Sequence, residues 1–210
     1  MLKNLLRRAP GAERFAGLLE LVPWGARNRQ TLLDMLPKDS VCAEVGVHRG
    51  DFSARVLKIV NPKEFHLIDP WKYEQSNTYK AALYGGKARG GQAEMDDRCQ
   101  AVRQRFDPEI RSGRIVIHRD CSKTVLGEFP DGYFDWVYID GNHLYEYVRE
   151  DVALSFRKTK LGGYITGDDY QADGWWQGGV KKAVDEFVRE KSVRLVSIDD
   201  GQFVLRKESN

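Results

Sequence analysis

Apolar positions along the chain follow two periods in alternation. Short dense runs at Val41–Gly46, Phe65–Ile68, Arg114–His118, Phe134–Ile139 and Tyr164–Thr166 have the length and composition of strands. Between them, apolar residues recur at helical spacing: Phe52, Val56, Leu57 and Val60; about Ala93–Phe106; Ser122–Glu128; Tyr145, Val148, Val152 and Phe156; and Val180, Ala183, Val184, Phe187 and Val188. Val193–Ile198 and Gln202–Leu205 end the pattern as two strands, joined by an Asp199-Asp200-Gly201 turn suited to an antiparallel hairpin. Upstream, Glu13–Leu21 and Arg29–Leu36 are patterned as helices on either side of a break at Pro23-Trp24-Gly25. This alternation predicts a doubly wound α/β sheet over residues 38–210, preceded by a helical cap at 1–37. The stretch from Trp71 to about residue 92 keeps neither period. It predicts a long insertion with a flexible glycine run, Gly85 to Gly91, of the kind that forms lids and binding loops.

Composition narrows the class. The 210 residues are 41% hydrophobic and 30% charged, which suits one soluble domain with an ample core. A net charge of +2 does not favour a nucleic-acid partner. Cys42, Cys99 and Cys121 are odd in number and show no CxxC spacing, so neither a disulfide framework nor a zinc knuckle is expected, and a reducing cytoplasm is. No apolar run approaches the roughly 18 residues of a membrane span. The basic, leucine-bearing N-terminus is interrupted by Arg7, Arg8, Pro10 and Glu13; it fits an amphipathic helix on the domain edge better than a signal peptide.

The candidate chemistry gathers at strand ends. FDWVYIDGNH, from Phe134 to His143, stops at Asp140-Gly141-Asn142, and LGGYITGDDY, from Leu161 to Tyr170, stops at Asp168-Asp169. Any one of these acids is most simply a loop cap. Three at matched strand ends would share one lip of the sheet, where open α/β folds bind ligands. Three close carboxylates repel, so one must take up a proton or all must share a cation. Oxygen ligation favours Mg²⁺, and a hydroxyl on such an ion loses its proton more easily. Asn142 cannot accept a proton at useful pH, which leaves His143 as the candidate general base, against the plainer reading of a helix cap. His48, His66 and His118 have no partners at ligand spacing. Trp175 and Trp176 suit either an acceptor wall or packing, and Lys72, Lys80, Lys87 and Arg89 suit a solvated loop.

The first strand–turn–helix junction, AEVGVHRGD from Ala43 to Asp51, lacks the dinucleotide fingerprint, since His48 and Asp51 stand where glycines should. Gly46 and Gly50 are four apart, Glu44 precedes the turn, and Asp69 ends the next strand, well placed for the hydroxyls of a ribose or for capping before Pro70. Asp120 fits either an adenine contact or plain surface. An NAD-dependent oxidoreductase and a catalytically silent nucleotide-binding module are the competing classes; the missing glycines weigh against the first and the three acids against the second.

EVGVHRG resembles the first motif of class I S-adenosylmethionine-dependent methyltransferases, and FHLIDPW, HRDCS, DWVYIDGNHLYEYVREDV, LGGYITGDDY and GGVKKAVDEFV continue the likeness in order. The spacing is similar to that of the metal-dependent sugar O-methyltransferases of the macrocin type. The resemblance implies a seven-stranded sheet of order 3-2-1-4-5-7-6 with strand 7 antiparallel. It also implies S-adenosylmethionine held by Glu44, Gly46, Gly50 and Asp69, with Asp120 and Cys121 or Ser122 at the adenine. It further implies a divalent metal, Mg²⁺ by preference, on Asp140, Asp168 and Asp169. The expected acceptor is a small-molecule hydroxyl on a sugar, glycoside or phenol. A homo-oligomer is compatible with all of this. The second acid that sugar-modifying relatives carry two residues after the first ligand is Asn142 here.

Overall fold

A computed structural model of the chain describes residues 24–191 and 193–209. Helix α1 (Trp24–Met35) leads into strand β1 (Val41–Val45), followed by α2 (Asp51–Ile59) and β2 (Glu64–Ile68). After a 3₁₀ turn at Asn77–Tyr79 come α3 (Gly91–Arg105), α4 (Asp107–Arg111), β3 (Ile115–His118), α5 (Ser122–Glu128) and β4 (Phe134–Ile139). The chain continues through α6 (Tyr145–Lys158), β5 (Thr159–Gly167), α7 (Gly179–Glu190), β6 (Val193–Asp199) and β7 (Gln202–Lys207). The sheet has seven strands in the order β3-β2-β1-β4-β5-β7-β6, as expected. β1 to β5 run parallel, while β7 is antiparallel to both β5 and β6.

The sheet is covered on both faces, so its central strands are apolar nearly throughout. Alternate residues of each strand serve opposite layers. Cys42, Phe65, Leu67, Trp136 and Tyr138 pack with Val56, Met95, Val102 and Phe106 on one side. Ala43, Val45, Ile68, Val137, Ile139 and Ile165 pack with Val148, Val152, Val184 and Phe187 on the other. Parallel register puts Val45 opposite Ile68 and Ile139, and Ile139 opposite Gly167. The residues that follow these strands therefore leave the sheet at one lip.

Three expectations need correction. α1 is described from Trp24, so Trp24 and Gly25, expected in the break, are helical. The insertion is packed. Trp71, Tyr79, Ala82 and Ala88 are buried, and a Cβ on Gly85 or Gly86 would lie 2.1 Å from the Tyr79 or Lys80 carbonyl oxygen. Those glycines serve close backbone approach, with Gly86 N–H donating to Tyr79 O at 2.9 Å, and the run is no free tether. Lastly, the strand expected at Tyr164–Thr166 is longer, β5 taking in Gly162 and Gly163, and its register against β4 shifts between Phe134 and Trp136. The helical patterning at Glu13–Leu21 and most of the expected cap at 1–37 lie outside the described residues.

Asp151 of α6 is buried with the Ser122 hydroxyl donating to it. Burial outweighs that bond and pushes its carboxyl up to about 7. In the unfolded chain an aspartate titrates near ~3.9, so between these values the unfolded state releases a proton that the folded state keeps. Stability then falls as pH rises through that window, by on the order of 2–4 kcal/mol. Asp151→Asn keeps an acceptor for Ser122 and loses the titration. Its melting temperature should decline less between pH 5 and pH 8 than that of the wild type, by several degrees. Parallel melting curves across that range would show that Asp151 is ionised in the fold.

Candidate active site

The turn after β1 is built around Gly46. Its φ is +91°, its N–H donates to Ile68 O at 2.9 Å, and a Cβ there would lie 2.1 Å from the Asp140 carbonyl oxygen. Only glycine lets the first turn touch the end of β4. His48 and Gly50 continue in the left-handed region, at φ +55° and +75°. Glu44 is 1% exposed and accepts the Ser53 hydroxyl at 2.6 Å, and burial pushes its carboxyl well above the ordinary range. It therefore braces α2 from within.

Asp69 ends β2 beneath this turn, also 1% exposed. Its Oδ2 accepts the Val47 and His48 N–H groups at 2.8 and 2.9 Å and the Tyr84 hydroxyl; its Oδ1 accepts Trp71 N–H at 2.7 Å. Burial raises its pKa while these four donors pull it down. Tyr84, brought by the insertion, is the one side-chain partner among them. At the neighbouring strand end, Asp120 and Cys121 are exposed, with Asp120 Oδ1 accepting Cys121 N–H at 2.6 Å. Ser122 faces inward to Asp151.

The three acids meet at the ends of β4 and β5. Asp140 N–H donates to Val45 O at 2.7 Å and Asp168 N–H to Ile139 O at 3.1 Å, so both residues leave adjacent strands at one level. Gly167 permits this, because a Cβ there would lie 2.5 Å from Ile139 O. Asp169, at φ +58°, folds back and donates its N–H to Asp168 Oδ1 at 2.8 Å. Burial first, and then the Asp140 charge, push Asp168 up to about 6, with Arg29 acting the other way. Burial raises Asp169 as well, against the pull of His143.

Two basic side chains, an imidazole and a guanidinium, answer these acids. His143 lies between Asp140 and Asp169, with Nε2 3.4 Å from Asp140 Oδ1 and Nδ1 3.3 Å from Asp169 Oδ2. Neither nitrogen makes a well-directed hydrogen bond, although both are buried. Burial alone would hold the imidazole down; Asp140, Asp169 and Asp168 together outweigh it and raise it above its usual value. The helix α6 has no side-chain cap; Asn142 closes the turn before it, its Oδ1 accepting Leu144 N–H at 3.1 Å while its Nδ2 donates to the Tyr79 hydroxyl at 2.8 Å. Trp175 and Trp176 flank the His143 ring, with centroids at 5.9 and 5.1 Å.

Arg29 of α1 is the second of these side chains. Its Nη2 donates to Asp168 Oδ2 and, at 3.3 Å, to Asp140 Oδ2. Gln202 of β7 donates to Asp168 Oδ1 and accepts the Tyr138 hydroxyl at 3.2 Å. The sequence reading missed both residues. The available signal was small: Arg29 shares one helical face with Leu32, Leu33 and Leu36, a charge where the stripe predicts core.

One ligand atom each from Asp140, His143 and Asp169 lies within 4.8 Å of the others; Asp168, expected in this set, is outside that group, its carboxylate turned to Arg29 and Gln202, and His143 stands in its place. Clustered oxygens, an imidazole and orphaned ring nitrogens fit a hard or borderline divalent cation. No helix of the described residues is long and apolar enough to cross a membrane.

Comparison with known proteins shows the family and the fold. The family model described as a methyltransferase domain matches residues 43–170. An uncharacterized protein of Acanthamoeba polyphaga mimivirus is 39% identical over 66 residues, and the match spans 31% of this chain but only 29% of that protein. Among solved structures, the O-methyltransferase NovP is similar with a TM-score of 0.62 at 19% identity, over 86% of this chain and 80% of its own. Cofactor-bound Rv0187 from MTB has a TM-score of 0.65 at 13% identity, over 92% and 85%. The N-methyltransferase NodS from Bradyrhizobium japonicum has 0.54 at 15%, over 86% and 95%. At such identities the likeness is one of fold, and the fold serves methyl transfer to more than one kind of atom.

The glycine argument is testable by contrast. Gly113 has φ +76° with nothing within 4 Å of its would-be Cβ, so Gly113→Ala should cost only the conformational strain, about 1 kcal/mol. Gly46→Ala adds a backbone clash and should cost at least twice that in chemical denaturation. Equal costs would mean that the turn after β1 is free to move off Asp140.

Proposed function

Since the chain belongs to the class I S-adenosylmethionine-dependent methyltransferases, its domain matched over residues 43–170, we propose that it methylates a hydroxyl of a small molecule with the help of a divalent cation. The observation that carries this reading is the convergence of Asp140, Asp168, Asp169 and His143 on the lip formed by the Gly46 turn.

When bound, S-adenosylmethionine supplies an electrophilic methyl on a sulfonium and is left as S-adenosylhomocysteine; a divalent cation, Mg²⁺ by the oxygen donors, makes a nearby hydroxyl more acidic. The chain does the rest. Gly46 and Gly50 let the backbone approach the donor closely, and Asp69 receives the ribose hydroxyls in exchange for the Tyr84 hydroxyl. Asp120 and Cys121 border the adenine end, while Ser122 and Glu44 hold α5 and α2 beneath it. Asp140, Asp168 and Asp169 hold the cation. His143, 3.4 Å from Asp140 and 3.3 Å from Asp169, would accept the proton of the acceptor hydroxyl, its ring free to do so once the cation answers the charge of those acids. Tyr79, Trp175 and Trp176 wall the acceptor side, which suits a ring-bearing acceptor such as a sugar, glycoside or phenol.

Calorimetry with S-adenosylhomocysteine should give one site per chain, weakened at least ~10-fold by Asp69→Ala, the loss expected for a hydrogen-bonded charge. Unaltered affinity would place the ribose elsewhere.

Chelation should abolish transfer and leave S-adenosylhomocysteine binding intact. His143→Ala should lower turnover by ~100-fold or more, the usual share of base catalysis, while Mn²⁺ binding persists. Loss of Mn²⁺ binding in that variant would make the imidazole a ligand and leave the proton to another acceptor. Full activity in excess chelator would contradict the cation reading altogether.

A further inference from the structure

Arg29 reaches the acid lip from α1, a helix that precedes the first strand, and its attachment is firm. It shares the inner face of α1 with Leu32 and Leu33, and Leu36 follows directly after the helix; all three are at most 3% exposed. Its guanidinium lies over the Phe52 ring at 5.5 Å, and Phe52 in turn stacks on Tyr138 at 4.0 Å. The helix is thereby fixed by its leucines, and the long side chain alone spans the distance to the acids.

The point it reaches is specific. Nη2 contacts Oδ2 of Asp140 and Oδ2 of Asp168 together. An ion shared by those oxygens would lie between them, and that is the space the nitrogen enters, in contact with Asp168 Oδ2 and 3.3 Å from Asp140 Oδ2. Two cations cannot share that point, for reasons of both volume and charge.

We propose that Arg29 is an internal counter-ion that competes with a divalent cation for Asp140 and Asp168. The proposal rests on the reading of the acid cluster as a cation site. In the metal-free protein Arg29 neutralises part of the cluster and keeps its carboxylates in place. A dication attracts each carboxylate about twice as strongly as a guanidinium at equal distance, so metal displaces the side chain while the leucines keep α1 docked. The cost of that displacement appears as weakened metal affinity, because the cation-accepting state is only a fraction of the metal-free population. Arg29 thus sets the cation concentration at which the site fills.

The test uses the whole chain and Mn²⁺ alone, with free Mn²⁺ followed by electron paramagnetic resonance. Arg29→Gln should bind one Mn²⁺ at least tenfold more tightly than the wild type, and Arg29→Lys, which keeps a competing charge, should stay near the wild type. Without metal, Arg29→Gln should melt lower than the wild type, and saturating Mn²⁺ should remove the difference. Equal affinities in wild type and Arg29→Gln would overturn the competition and leave the cation site standing. Weaker binding in Arg29→Gln would also overturn it, by making Arg29 part of the occupied site. No binding in either protein would overturn the cation site and the competition together. The wild type offers an independent check that needs no folded variant. On Mg²⁺ titration, the arginine Nε–H resonance of Arg29 should move to a solvent-exposed position, and an unmoved resonance at saturation would contradict displacement.

Discussion

Three carboxylates held at one lip of a sheet need positive charge, and much of the structure around them supplies or tolerates that need. Asp140, Asp168 and Asp169 cannot separate, since their backbones are tied to Val45, to Ile139 and to one another. With fixed positions, their mutual repulsion has to be met by a proton, a cationic side chain or a metal ion. Arg29 meets it on the Oδ2 atoms of Asp140 and Asp168, and the His143 ring faces Asp140 Oδ1 and Asp169 Oδ2, where it is drawn toward its protonated form. The lip is therefore neutralised without being filled by apolar packing, which is the condition a site needs if it is to receive a charged or polarised ligand.

The surrounding fold is arranged to keep that lip narrow. Gly46 and Gly167 are the points where backbones touch, and a single methyl group at either would push β1 from β4 or β5 from β4. Asp69, one strand over, is treated differently. Its charge is met by backbone N–H donors, and its remaining partner is a tyrosine hydroxyl from the insertion. A hydroxyl in that place is the natural thing for a ribose to replace. The insertion also supplies Tyr79, which bonds to Asn142 beside His143. One packed segment thus links the donor side of the site to the acceptor side.

Much of this arrangement was legible in the chain. Strand ends can be found from where an apolar run stops, so Asp69, Asp140, Asp168 and Asp169 fell at the right places, and the hairpin fixed the antiparallel final strand. The partners of those acids were harder to see. Arg29 meets Asp140 and Asp168 across separations of 111 and 139 residues, and no local pattern carries such a pairing. Gln202 was assigned only to a strand, and its reach to Asp168 depends on β7 lying beside β5. Gly85 and Gly86 misled for a physical reason: glycine permits mobility and close packing alike, and only the carbonyl groups of Tyr79 and Lys80 decide between them.

The central claim is that the acid lip works with a cation next to a bound methyl donor. Crystals grown with S-adenosylhomocysteine and Mn²⁺, with diffraction recorded at the manganese edge, test it most directly. The account predicts one anomalous peak in contact with the Asp140, Asp168 and Asp169 carboxylates, the ribose on Asp69, and the Arg29 guanidinium withdrawn from Asp168. A bound S-adenosylhomocysteine with no anomalous peak and Arg29 still joined to both acids would contradict it.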